Sequence, residues 1–330
     1  VTVQIVQVDP SPRLQPYSYE TAAIAAAGGQ LVLANCQSEA DVIAQAADAE
    51  VLLVSWCKHV TPAVMDALPK VRLIGRWGVG YDMIDAEAAT ARGIAVVNTP
   101  TYCGDEVAEH AIALLFACGR GITWSHERMR EGKYLIPPFT IRRMAGRTLG
   151  IIGCGRIGSK VAQRANALGL KVIAYDKYRS DDELRAIGVE PRSFDEVLSN
   201  ADFISLHTPL DPSTRHLIDA AALAKIQPHA MLINTSRGGV IDQEALVQVL
   251  EEGRIAAAGL DVFEDEPLAA DHPLRKLEHV TLTPHVAAWS EDSIELLRIE
   301  MCENVTDWIT TGWSEKIVNP EVRSKLRPRV

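Results

Sequence analysis

Leu149-Gly150-Ile151-Ile152-Gly153-Cys154-Gly155-Arg156-Ile157-Gly158 is the stretch on which the fold turns. Its first four residues read as a buried strand. A glycine-rich turn follows, and a helical pattern, Arg156–Leu168, opens inside that turn. Gly153 permits the tight turn, Gly155 lets backbone approach a pyrophosphate, and Gly158 lets the helix pack closely on the strand. The helix start, with Arg156 and Ile157, offers unpaired N–H groups and the positive end of a dipole to phosphate oxygens. The next strand, Val172–Tyr175, runs into Asp176, 23 residues beyond Gly153. A carboxylate there accepts hydrogen bonds from ribose hydroxyls and repels a 2′-phosphate, which favours NAD over NADP. Lys177 and Arg179, just beyond, pull the other way. The alternative is a glycine turn that packs for its own sake.

On the C-terminal side the same alternation continues through Asp182–Ile187, Phe203–Leu206, Met231–Ile233, Gln243–Glu251, Ala256–Leu260 and Val280–Leu282. On the N-terminal side a separate series runs Val3–Val8, Thr21–Ala27, Leu31–Ala34, Glu39–Ala47, Val51–Val54, Pro62–Leu68, Arg72–Gly75, Ala86–Ala91 and Ile94–Val97. Strands alternating with helices predict parallel sheets covered on both faces, closed by right-handed crossovers. A helical pattern from Asp105 to about Arg130 separates the two series, as a connecting helix or an ordinary core helix. Tyr134–Gly146, with Pro137-Pro138 and Arg142-Arg143, reads as a loop. The final helix, Glu291–Ile309, is amphipathic through Ile294, Leu297, Met301, Val305 and Trp308. The length of 330 residues fits two domains.

Composition narrows the partners. Lys plus Arg is 33 and Asp plus Glu is 43, a net charge of −10. No nucleic-acid partner is expected, since that requires a basic face. An anionic substrate needs its own local cations. No apolar run spans a membrane. Val1–Val8 alternates like a strand and carries no signal-peptide pattern. The six cysteines, Cys36, Cys57, Cys103, Cys118, Cys154 and Cys302, form no CxxC pair or metal-ligand cluster, so no metal is expected. They read as reduced, buried thiols of a cytoplasmic protein.

Three further segments follow apolar strands: Asn234-Thr235-Ser236-Arg237-Gly238-Gly239-Val240-Ile241-Asp242, then Gly259-Leu260-Asp261-Val262-Phe263-Glu264-Asp265-Glu266-Pro267, then Thr283-Pro284-His285. Ligands of an open parallel sheet sit at the carboxyl ends of its strands. Arg237, Asp261, Glu266 and His285 can therefore border a nicotinamide crevice. Singly, each has a plain structural reading: a surface ion pair, a solvated acidic loop, a turn histidine. Their shared position downstream of one nucleotide fingerprint is the signal.

With Gly78-Val79-Gly80-Tyr81-Asp82-Met83-Ile84-Asp85 added, the chain resembles the D-isomer-specific 2-hydroxyacid dehydrogenase family over nearly its whole length. The resemblance implies a flavodoxin-like substrate domain from residues 1–100 and 287–330, with a Rossmann-type NAD-binding domain, 101–286, inserted between. Both would be doubly wound α/β parallel sheets. It implies a homodimer and hydride transfer between NAD(H) and C2 of a small 2-hydroxy or 2-oxo acid. Arg237 would anchor the substrate through its guanidinium fork. His285 would be the acid–base group, and Glu266 would orient it and stabilise its protonated form. Asp261 is expected near the nicotinamide carboxamide, and Thr208 and Pro209 join the cofactor residues. Backbone N–H groups of Val79 and Gly80 would grip the substrate carboxylate.

Within the family, the likeness is greatest to the C-terminal-binding-protein group, through the Arg76-x-Gly-x-Gly-x-Asp-x-Ile-Asp pattern. That implies Arg76 as a second substrate contact. The group's tryptophan, three residues after the histidine, is Ala288 here, with Trp289 one place later. Trp56 and Trp77 are candidate pocket residues, or else core or dimer contacts. An NAD(H)-sensing, co-repressor-like dimer is the competing function. Formate dehydrogenase is a second, and glutamine in place of Glu266 would mark it.

Overall fold

Strands whose every residue is buried need cover on both faces, and six of the twelve described strands are of that kind. The computed structural model describes residues 2–328. The chain divides into two compact units, Val1–Cys103 with Ser290–Val330, and Gly104–Trp289.

The first unit carries five parallel strands: β1 (Val3–Gln7), β2 (Gly29–Leu33), β3 (Val51–Val54), β4 (Leu73–Arg76) and β5 (Ala95–Asn98). Their order, β2-β1-β3-β4-β5, is that of a flavodoxin-like sheet, and it reverses between β1 and β3. Every residue of β3, β4 and β5 is buried. Short helices between the strands start on side-chain caps: Ser38, Thr61 and Asp85 each accept an N–H of the first turn. Helix Glu291–Thr311 returns to this unit and lays Leu297, Met301, Val305 and Trp308 on the same core as Ile5, Leu53 and Leu73.

The second unit carries seven parallel strands: β6 (Thr148–Ile152), β7 (Lys171–Tyr175), β8 (Glu190–Pro191), β9 (Phe203–Leu206), β10 (Met231–Asn234), β11 (Ala257–Leu260) and β12 (Val280–Leu282). Read from β8 to β12, the order is β8-β7-β6-β9-β10-β11-β12. That is the Rossmann order with one added strand, and its switch point lies between β6 and β9. Register aligns the strand ends, pairing Ile152 with Tyr175 and Leu206, Asn234 with Leu206 and Leu260, and Leu260 with Leu282. The residues that follow these strands therefore share one sheet edge. All six cysteines are free and buried, as their composition suggests. No described helix is long and apolar enough to cross a membrane.

One expectation changes, and one open choice is decided. The helical pattern read as continuous from Asp105 to Arg130 is two helices, Gly104–Arg120 and Ile122–Arg130, parted at Gly121, whose φ is 61°. Apolar spacing runs on across the break, so the periodicity hides it. Trp77 is core: it is buried, and its indole N–H donates to Gln7 Oε1 at 2.6 Å.

The C-terminal tail is fastened to β5 and the helices beside it. Val318 N–H donates to Val96 O at 2.9 Å, and Asn319 Oδ1 accepts Val96 N–H at 2.8 Å. Arg327 then donates to four carbonyls: Arg92 O, Leu68 O, Val71 O and Met65 O, at 2.8–3.0 Å. A hydrogen bond to a charged group contributes about 1.5–3 kcal/mol net of exchange with water, and less where water can take its place. Arg327→Ala is expected to cost on the order of 2 kcal/mol. A urea titration should show it as an earlier midpoint, and an unmoved midpoint would make the tail clamp energetically idle.

Candidate functional site

The edge of the second sheet begins with the glycine-rich turn after β6. A side chain at Gly158 would strike Gly153 O at 2.2 Å, so the turn's own backbone requires that glycine. Gly155 differs, because a Cβ there would meet nothing within 4 Å. Its missing side chain leaves open space beside the start of helix Arg156–Ala167, which has no side-chain cap. An uncapped helix start beside an open glycine fits a pyrophosphate. Asp176, at the end of β7, accepts the Cys154 N–H at 2.6 Å and the N–H groups of Tyr178 and Arg179 at 2.8 and 3.0 Å. Arg179 reaches back to Ser159 Oγ at 3.1 Å. Across the switch point, Thr208 lies against Gly153 and its hydroxyl is buried with no hydrogen-bond partner, as is that of Thr235 after β10. Such orphaned hydroxyls at a strand edge suit a bound ligand. The residues present thus fit a dinucleotide.

Asp261, after β11, is fully buried. Its Oδ1 accepts the Thr283 hydroxyl at 2.6 Å and Val286 N–H at 3.0 Å, and its Oδ2 accepts Ala287 N–H at 2.9 Å. His110 Nε2 stands 2.9 Å from Thr283 Oγ1 and 3.5 Å from Asp261 Oδ1. Expected beside the carboxamide, Asp261 has the geometry of an organiser of the turn after β12. His285 sits in that turn, with its N–H on Asp261 O at 2.8 Å and a φ of 52°.

His285 Nδ1 lies 2.7 Å from Glu266 Oε2, and Glu266 Oε1 accepts Phe263 N–H at 2.9 Å. Burial pushes the Glu266 carboxyl up. The hydrogen bond and charge of His285, the Phe263 N–H and the charge of Arg237 outweigh it and hold the group below its ordinary value. Arg237 follows β10 in a turn tied by the buried Asn234, whose Nδ2 donates to Arg237 O at 2.9 Å and whose Oδ1 accepts Ser236 N–H at 2.9 Å. The Arg237 loop and the Glu266 loop touch at Gly238, where a Cβ would lie 1.8 Å from Phe263 C. Only glycine allows that approach. Trp289 N–H closes the turn beyond His285 on Val286 O at 2.9 Å.

In the first unit, Arg76 ends β4 and is only 3% exposed, with its guanidinium 5.1 Å from the Trp56 ring centre. Trp56 itself is exposed. Val79 O accepts the Asn98 side-chain amide at 2.6 Å, which sets the turn that also carries Gly80. Sequence reasoning missed Asp9. It follows β1 at this sheet's switch point and accepts the N–H groups of Ser55, Trp56 and Cys57, the outer two at 2.7 Å. Burial raises its carboxyl above the ordinary value, against those three N–H groups and the charge of Arg76. The only available signal was its place after the first strand of a sheet that reverses there.

Residues 112–287 match the family model for the NAD binding domain of D-isomer specific 2-hydroxyacid dehydrogenases. A glyoxylate reductase of Korarchaeum cryptofilum is 40% identical over 291 residues, 87% of each chain. A D-3-phosphoglycerate dehydrogenase of Mycobacterium bovis is 42% identical over 264 residues, 80% of this chain but 50% of that one, so the chain spans about half of that relative's length. The crystal structure of a glyoxylate reductase from Paecilomyes thermophila superposes with a TM-score of 0.87 at 30% identity, over 96% of this chain and 98% of that one. With its two parallel-sheet units and its nucleotide turn, the chain belongs to the D-isomer specific 2-hydroxyacid dehydrogenase family, as an NAD-binding oxidoreductase.

Proposed function

We propose that the protein reduces a small 2-oxo acid to the D-2-hydroxy acid, and runs the reverse oxidation, with His285 as acid–base group, Glu266 as its partner and Arg237 as substrate anchor. The observation that carries this reading is the 2.7 Å contact between His285 Nδ1 and Glu266 Oε2, on the sheet edge that also bears the nucleotide turn. NADH supplies the hydride to C2 when bound by Gly153, Gly155, Arg156, Ile157, Gly158, Asp176, Thr208 and Pro209. Arg237 pairs with the substrate carboxylate and the 2-oxo oxygen, and supplies the local cation that a chain of charge −10 needs. Because Nδ1 faces Glu266, Nε2 is the nitrogen that hands its proton to the forming alkoxide. One 2-oxo acid, one NADH and one proton give one 2-hydroxy acid and one NAD⁺. Arg76 and the N–H groups of Val79 and Gly80 are assigned to the substrate carboxylate by family likeness. Asp176 favours NADH over NADPH.

A homodimer remains part of the proposal. Ile122, Met129, Tyr134, Leu135 and Ile136 are all exposed, Tyr134 at 93% and Ile136 at 89%, in one segment of the second unit that a second copy would cover. A monomer mass by light scattering would refute it.

NADH oxidation over glyoxylate, hydroxypyruvate, pyruvate, and branched and aromatic 2-oxo acids tests the activity, with chiral analysis of the product. Glyoxylate, whose product is achiral, heads the panel because of the relatives' names. The D-isomer is expected from the chiral substrates, with higher kcat/KM for NADH than for NADPH. An L-product contradicts the reading, and NADH binding without turnover favours the co-repressor-like alternative. Glu266→Gln tests the pair. An adjacent carboxylate favours the charged imidazole that reduction needs, and Gln keeps the shape without the charge. The alkaline limb of the reduction profile should move down by about one pH unit. The acid limb of the oxidation profile should move down with it. Limbs that stay, or move up, would remove Glu266 from the couple.

A further inference from the structure

Glu266 is not the only carboxylate of its loop that holds a histidine. Two residues earlier, Glu264 Oε1 makes a short contact with His216 Nε2. His216 lies in the segment after β9, and its own N–H donates to Gly239 O at 2.8 Å, two residues past Arg237. Ile218 N–H donates to Val240 O at 3.0 Å and Asp242 N–H to Ile218 O at 3.1 Å, so this segment runs along the Arg237 loop. Glu264 N–H is taken by Gln243 Oε1 at 3.1 Å. His216 thus binds the Arg237 loop through its backbone and the Glu266 loop through its ring.

Backbone conformation marks the same two histidines. Among the described residues, His216 and His285 are the only non-glycine residues with positive φ, at 50° and 52°. Each conformation is unfavourable for a residue with a Cβ and persists only where its surroundings fix it. Glu264 and Glu266 fix one ring each. A solvated surface ion pair would need neither the unusual backbone nor the link to Gly239.

We infer that the His216–Glu264 pair is a positioning device for hydride transfer, setting the Glu266 carboxylate on His285 Nδ1 while it holds the Arg237 loop in place. The inference rests on the proposed acid–base couple. Arg237 from the β10 loop is the further charge that acts on Glu266, and Asp261, with His110 Nε2 3.5 Å from its Oδ1, holds the turn that carries His285. Arg215 lies beside His216 in the chain, with Nη1 3.6 Å from the Cβ position of Gly239. Neither His216 nor Glu264 moves a proton in the reaction. They act through the distance between Glu266 and His285.

The test uses the full chain, NADH, and the 2-oxo acid turned over fastest. His216→Ala should lower kcat about tenfold, as small displacements at a reacting centre do. It should also move the alkaline limb of reduction to lower pH, in the direction of Glu266→Gln, with NADH affinity by fluorescence unchanged. His216→Gln carries an amide nitrogen where the ring has Nε2, so it should recover most of kcat and return the limb. Glu264→Ala should match His216→Ala, and the double variant should be no worse than either single one. A lower kcat with an unmoved limb and no rescue by Gln would overturn the inference, because a merely structural role gives that pattern. If His216→Ala does not fold, Glu264→Ala, which removes the contact from the other side, is read the same way, and an unmoved limb again overturns it. Glu266→Gln separates the two failures. If it moves the limb and His216→Ala does not, only the positioning role falls. If it moves nothing, the acid–base couple falls and this inference with it.

Discussion

A carboxylate with no access to water must be met by donors from the protein itself, or its burial is prohibitive. Asp261 is in that position, and three donors of one turn meet it: the Thr283 hydroxyl and the N–H groups of Val286 and Ala287. The demand shapes the chain after β12. It must reverse within a few residues of Pro284 to bring both N–H groups onto one carboxylate. His285 is left at the apex in a left-handed conformation, with its own N–H on the Asp261 carbonyl. A buried charge at the end of one strand thus dictates the backbone of the residue assigned to proton transfer. Replacing it by an apolar residue would remove the reason for the turn rather than a single contact.

The neighbouring loops meet this turn through constraints of the same local kind. Gly238 lets the Arg237 loop lie against the Phe263–Glu264 backbone, and Asn234 ties the Arg237 turn from within. Glu266 is held by Phe263 N–H on one oxygen and faces His285 with the other. Burial pushes its carboxyl up, and the His285 contact, the Phe263 N–H and the charge of Arg237 together outweigh that. In the proposed function, a local cation of this kind reconciles an acidic chain with an anionic substrate, since long-range steering would work against binding.

Much of this is visible in the residues. Val51–Val54 and Phe203–Leu206 are strands over the ranges that their apolar runs suggest, because fully buried strands leave a continuous signal. The nucleotide turn is legible because its glycines are forced by backbone geometry. Other elements leave too little trace. Glu190–Pro191, of two residues, and Ala220–Leu223, of four, each span about one period, too short for a pattern to repeat. Helix Phe194–Asn200 is absent from the sequence reading, although Ser193 and Glu196 make the capping box that starts it. Asp9 and the His216–Glu264 pair are tertiary: their partners lie 46 to 48 residues away, and no local spacing connects them.

The account stands most directly on His285 as the group that gives and takes the proton. His285→Gln, mixed with NADH and then with a 2-oxo acid under single-turnover conditions, isolates that step. The account expects NADH to bind as in the parent protein, while reduction, and oxidation measured in reverse, slow by about 10²–10⁴-fold. A variant that binds NADH normally and transfers hydride at the parent rate in either direction would contradict it.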